Sequence, residues 1–476
     1  DADLVHFSSN ALRIWQDDSA SSHKGLAHDD GAPMQAQMSF GITALALMTG
    51  GNPETLAKKY LPQYLYSITL HEVGHNFGLQ HNFIGHAAYT KKELRDPSFT
   101  GRSGLSTSVM DYIPFNLAPK GAKNGSLFMT VLGPYDYYAI RWGYAPVPGA
   151  KTPEDEVPTL SRWASAWSDP RYRFASDEDT FWPTGHAIDP RVHMFQLTGD
   201  TIGWCDEQLG IVHGLLGSLD RRFPRTQRVW EDERVAFGTT LGPYVRCSTN
   251  AAHWIGGEYL SRARVGDPHA ALPLTPVGYA DEKRAFDVVD RYLFSNSAWN
   301  FSPATLRRLV YTEYSGFNLF NYDPSARHDI SVAALAARYQ NIALGYMFAP
   351  LVLGRIDDLP SKAGSTKVMT LTDLFAWTQR SIYGDLTDGT VAKASVVRRN
   401  LQRRYAGLLA RLANGPAPGT PFDAQALARF ELGDLDGRIG TALKARPGDV
   451  QTRAHLEAMR VDVRRALHAQ GVVPAS

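Results

Sequence analysis

The chain has 476 residues, 43% of them apolar and 20% charged. That length calls for two or three domains, and the composition is that of an ordinary globular protein. A formal net charge of +1, with no basic-aromatic module, gives no field for nucleic acid.

The first sixty or so residues offer strand-like runs at Leu4–Phe7, Leu12–Trp15 and Met34–Phe40, closed by a Gly/Asn/Pro break at Gly50–Pro53. The chain starts at Asp1 with no charged-plus-apolar leader. The expectation is that a signal peptide, a propeptide or further sheet lies upstream. Pro62 suits the first turn of the next helix, where its missing N–H would be unbonded anyway.

That helix carries His71-Glu72-Val73-Gly74-His75, followed by Gly78 and His81. Positions four apart share a helix face, so His71 and His75 point at one metal. Glu72 projects about 100° from His71, beside the metal, where its carboxylate takes a proton from a metal-bound water. Gly78 supplies a left-handed residue that ends the helix and lets the chain deliver His81 as third ligand. Three histidines leave one zinc position open, the arrangement of a catalytic rather than a structural site. The bland alternative is a helix with solvated or core-satisfied histidines. Against it, the added glycine and third histidine reduce chance occurrence by a factor on the order of several hundred.

Ser108-Val109-Met110-Asp111-Tyr112 follows some thirty residues after His81. Together with H-E-x-x-H-x-x-G-x-x-H it makes the chain resemble the metzincin metallopeptidases at every defining position. The resemblance implies that Met110 forms an apolar floor under the three imidazoles. It also implies that Tyr112 approaches the metal and steadies the oxyanion, the alternative being a buried tyrosine with a satisfied hydroxyl. The strings His71–Phe83, Ser108–Pro114 and Leu132–Ala139, with Ser176–Asp179 and Arg398–Gln402, are similar to a bacterial Met-zincin family of large secreted or envelope proteases. That family is related to the metalloprotease subunit of EcxA-type toxins. Asn82, after the third histidine, departs from the residues that mark the better-known subfamilies. No cysteine precedes the motif, so a thiol-type latency switch would have to lie upstream.

Asp136 begins a helix, and reads either as an N-cap or as an orienter of a ligand histidine. His86 reads as a loop residue, since the ligand set is already complete. Pro146–Pro158 is a Pro-rich, acidic change of segment, and residues 159–200 read as extended surface and loops. Within them Asp177, Glu178 and Asp179 either hold a structural Ca2+ or form a capped, salt-bridged loop. Cys205 and Cys247 are either one disulfide, as suits an exported protein, or two buried thiols.

Helical periodicity dominates from Trp204, as in Gln227–Arg264, Asp281–Phe294 and Ile330–Leu353. The last of these is interrupted by Arg338, Gln340 and Asn341, so it reads as a buried helix rather than a membrane span. In Val391–Leu412 the apolar stripe is Val397, Leu401, Tyr405 and Leu408. Arg398, Arg399, Arg403 and Arg404 fall off it, as a solvated face or a basic partner surface. Gly415–Pro421 is a linker before two last helices.

The expected fold is α+β. A metzincin-like catalytic domain over residues 1–145, with a small mixed sheet and an active-site helix, is followed by a loop-rich connector over 146–200. An α-helical region over 201–476 buttresses the catalytic domain. The expected function is hydrolysis of a peptide or protein substrate by a one-zinc endopeptidase, periplasmic or secreted. Its base is Glu72 and its ligands are His71, His75 and His81. The alternatives are a zinc amidase acting on a non-peptide envelope polymer, and a non-catalytic zinc-organised protein-binding module. An intact Glu72 argues against the second.

Overall fold

Met34–Phe40, expected as a strand, is helical. In the computed structural model, which describes residues 31–180, 186–223, 229–268, 270–310, 329–386, 394–445 and 449–469, helix α1 spans Gly31–Thr49. It buries Met38, Phe40, Ile42, Ala44 and Leu47 around much of its circumference, as a helix set into the core does. The expected runs Leu4–Phe7 and Leu12–Trp15 lie outside the described residues.

Gly50, at φ 73°, turns the chain out of α1. Asn52 then caps α2, Pro53–Asn76, by accepting from the Thr55 amide at 3.0 Å, with Pro53 in the first turn and Glu54 behind it. Pro62 therefore lies inside α2, not at its start, because the Asn-Pro-Glu signal nucleates the helix nine residues earlier. α2 buries one face only, through Ala57, Tyr64, Ser67, His71 and Gly74. Leu65, Tyr66, Val73 and Phe77 are exposed on its other sides.

After short turns at Lys91–Leu94 and Pro97–Ser103, each N-capped by a side chain, come α3, Pro134–Tyr144, and α4, Pro153–Ala164. The acidic stretch expected to be a connector instead supplies Glu154, Asp155 and Glu156 to the first turn of α4, where carboxylates favour the helix dipole. The following stretch, expected to be extended, continues through 3-10 turns at Pro170–Tyr172 and Asp177–Asp179.

α5, Thr201–Leu216, packs along α6, Trp230–Ala252, and the two are joined by a Cys205–Cys247 disulfide with a Cα–Cα distance of 5.2 Å. α6 stops at Ala252, short of the expected Arg264, and the chain passes into a two-stranded antiparallel sheet. Its strands are β1, Glu258–Leu260, and β2, Leu274–Pro276, with Tyr259 opposite Thr275. α7, Tyr279–Val289, runs on as a π turn to Phe294. The Ile330–Leu353 run forms two helices, α8 (Val332–Met347) and α9 (Pro350–Lys362), because Pro350 cannot continue the first and biases Ala349 away from helix.

α10, Leu371–Tyr383, leads to a closing group of α11 (Val396–Asn414), α12 (Phe422–Lys444) and α13 (Val450–His468). Arg398 is not on a solvated face: it is buried and donates to the Ser381 and Ile382 carbonyls at 2.9 and 3.2 Å.

One apolar core runs from Met38 on α1 to Ala466 on α13, and a small second cluster gathers Phe83, Ile84, Tyr112, Ala175, Val192 and Phe195. The chain is mostly helical. Among the described residues β1 and β2 form the only sheet, so the mixed sheet expected in the first 145 residues is not found there. No described helix is long and apolar enough to cross a membrane.

Candidate metal centre

The end of α2 is built by three glycine-dependent contacts. At Gly74 an added Cβ would overlap the Met110 sulfur, so a glycine inside this helix is what lets Met110 come up against it. Gly78, at φ 79°, donates to the His75 carbonyl at 2.9 Å, and Leu79 donates to the Gly74 carbonyl at 3.1 Å. This pair of bonds is a Schellman motif. It returns the Leu79 carbonyl to within 3.0 Å of His75 Nδ1.

Each histidine is oriented by a different segment. His71 Nδ1 lies 2.8 Å from the Val109 carbonyl and His75 Nδ1 3.0 Å from that of Leu79. His81 Nδ1 lies 3.0 Å from both Asp177 oxygens. These oxygens only accept, so the proton sits on Nδ1 in all three rings and Nε2 carries the lone pair. The Nε2 atoms of His71 and His75 stand 3.1 Å apart, and one ligand nitrogen from each of the three rings lies within 4.8 Å of the others. Neutral imidazoles presenting lone pairs to one another repel, and a cation between them reverses the sign. The donor set fits zinc. Among the described residues this is the only group of three or more His, Cys, Asp or Glu close enough to hold a metal.

Met110 is fully buried at Gly74, and the Tyr112 ring packs 5.2 Å from His71 and 4.8 Å from His81 between centroids. Phe195, at φ 59°, lies 5.8 Å from Tyr112 and closes that side, a contact no local sequence signal announces. Glu72, one position after His71, is exposed.

Asp136 touches no histidine. It accepts from Ser108 Oγ at 2.7 Å, from the Val109 amide at 3.0 Å and from the Gly133 amide at 2.8 Å. The N-cap of α3 is Gly133 rather than Asp136, which sits in the first turn, bonds back to that N-cap amide and clamps the turn whose Val109 carbonyl holds His71. Burial raises its carboxyl above the usual range despite these donors. His86 is fully buried on a short 3-10 turn, not in an open loop. Its Nδ1 lies 3.0 Å from Asp111 Oδ2, outside the histidine group.

Sequence reasoning missed Asp177 as a partner of His81, 96 residues away. Burial raises the Asp177 carboxyl, and its hydrogen bonds from His81 and Ser176 outweigh that and leave it below the ordinary value. Calcium at this stretch is not supported. Asp177 faces His81, while Asp179 accepts from the Ser176 amide at 3.0 Å. Asp179 and Glu178 pair with Arg262 at 2.8 and 3.3 Å.

A family model described as Met-zincin matches residues 53–389. No curated protein matches the chain, and no solved structure does.

Proposed function

The chain belongs to the Met-zincin family, and from that premise we propose that it is a zinc-dependent endopeptidase. His71, His75 and His81 would hold the ion. The observation that carries this reading is the convergence of three ring nitrogens whose partners all fix the proton on the far side of the ring. When bound, zinc supplies Lewis acidity, polarising the scissile carbonyl and bringing the pKa of water toward about 7.

Glu72, exposed beside His71, accepts the proton of the attacking water and returns it to the leaving amine. Tyr112, wedged against His71 and His81, donates its phenol toward the oxyanion. Met110, buried against Gly74 on the same helix as His71 and His75, would supply the apolar floor of the site. Export belongs to the same proposal. The Cys205–Cys247 disulfide supports it, since such bonds persist in oxidising compartments.

The test is digestion of a peptide library read by mass spectrometry, with zinc-loaded wild type beside Glu72→Ala. Cuts made by wild type and lost in a variant that still binds one zinc are expected. Substantial cleavage by Glu72→Ala would sink the assignment of the base. No cleavage by either moves the weight to a non-peptide amide or to a binding role.

A further inference from the structure

We propose that Asn82 is a positioning residue for the third histidine and acts through Asp177; the inference rests on the zinc reading above. Asn82 follows His81 and is fully buried. Its backbone amide donates to the Met110 carbonyl at 3.0 Å. Its side chain makes two bonds of opposite sense to one downstream segment: Nδ2 donates to the Arg173 carbonyl at 3.0 Å, and Oδ1 accepts from the Ala175 amide at 3.3 Å. Those partners fix which way the amide points, because a carbonyl only accepts and an N–H only donates. The Phe83 amide adds a bond to the Ala175 carbonyl at 2.8 Å. Residues 173–175 are thereby laid against 82–83, and the next two residues bring a carboxylate back to the ring of His81.

The turn that follows completes the placement. Asp179 accepts from the Ser176 amide at 3.0 Å, and Ser176 Oγ lies 3.3 Å from Asp177 Oδ2. Asp177 then meets His81 Nδ1 with both oxygens. Nδ1 of His71 and Nδ1 of His75 face neutral carbonyls, whereas Nδ1 of His81 donates to an anion. A carboxylate partner makes an imidazole a more basic ligand and fixes its rotation. What Asn82 decides is that this anion arrives. An aspartate at 82 would keep the acceptor for Ala175 but set an oxygen against the Arg173 carbonyl, repelling the segment.

The experiment is a double-mutant cycle on the full chain, with zinc affinity read by competition against a chromophoric chelator. It uses wild type, Asn82→Asp, Asp177→Ala and the double variant. Each single change is expected to weaken zinc by about 10-fold to 100-fold. The double variant is expected to bind no more weakly than Asp177→Ala alone, since Asn82 has nothing left to position. The visible spectrum of the cobalt-substituted protein is expected to change in the same way in both single variants. Additive losses in the cycle, or a wild-type affinity in Asn82→Asp, overturn the proposal. Should Asn82→Asp fail to fold, Asn82→Gln, which keeps both groups but misplaces them, carries the same expectations. A wild type that binds no zinc removes the metal reading itself, a different result from additivity in a zinc-binding protein.

Discussion

Gly78→Ala isolates the contribution of one backbone angle to the metal centre. Gly78 sits at φ 79°, and an added Cβ meets no atom within 4 Å. Crowding therefore contributes nothing, and the cost is the left-handed conformation itself, about 1–2 kcal/mol for a residue with a side chain. At stake are the bonds to the His75 and Gly74 carbonyls and the return of the Leu79 carbonyl to His75 Nδ1. If the apoprotein relieves the strain by opening this turn, zinc must rebuild it. Affinity then falls by the same free energy, about 5-fold to 30-fold at 1.4 kcal/mol per factor of ten. Asparagine, which visits this region readily, should recover most of the loss. The assay is a chelator-competition titration of wild type, Gly78→Ala and Gly78→Asn. An alanine variant equal to wild type, or an asparagine variant as weak as alanine, refutes the reasoning, because either outcome separates affinity from φ.

Three further outcomes follow from other parts of the fold. His455 is buried, with Nε2 2.9 Å from Gln402 Oε1 and Nδ1 3.4 Å from Arg403 Nε, and burial first, then Arg403 and Arg399, lowers it to about 4. A histidine lowered in the fold contributes stability above its unfolded pKa of about 6.5 and loses it as pH falls. Up to about 3 kcal/mol should disappear between pH 6.5 and 4, and His455→Gln should flatten that limb of an acid-unfolding curve; an unchanged limb counts against the assignment. The Cys205–Cys247 bond closes a separation of 42 residues, so reduction should cost about 4 kcal/mol by chain entropy, read as a lower denaturation midpoint with zinc affinity unchanged. Gly133→Ala places a Cβ into the Thr107 carbonyl, which as backbone cannot yield. It should push α3 off the methionine turn and weaken zinc binding, and a variant with normal affinity would show that the Asp136 clamp is dispensable.

The three-histidine cluster was legible because its information is local. His71, His75, Gly78 and His81 are related by helix geometry and a single turn, so spacing alone predicts their convergence. Met110 was singled out only through a resemblance, and its packing on the bare Gly74 appears only in three dimensions. Asp177 was not legible as a histidine partner, since nothing local connects residues 96 apart. Met34–Phe40 misled because Met34, Ala36, Met38 and Phe40 alternate with polar residues, while the apolar run that follows to Met48 turns the segment into one helix. Pro62 misled because proline punctuation is weaker than the Asn52-Pro53-Glu54 cap before it.

The histidines are oriented by carbonyls at Leu79 and Val109 and by a carboxylate at Asp177. Those three anchors emerge in that order as the chain is synthesised, N-terminus first. While a nascent chain stops short of residue 177, all three histidines exist but the last is unanchored. A histidine group wired this way is completed late, after the 96 residues from His81 to Asp177 have been made and have folded back onto it.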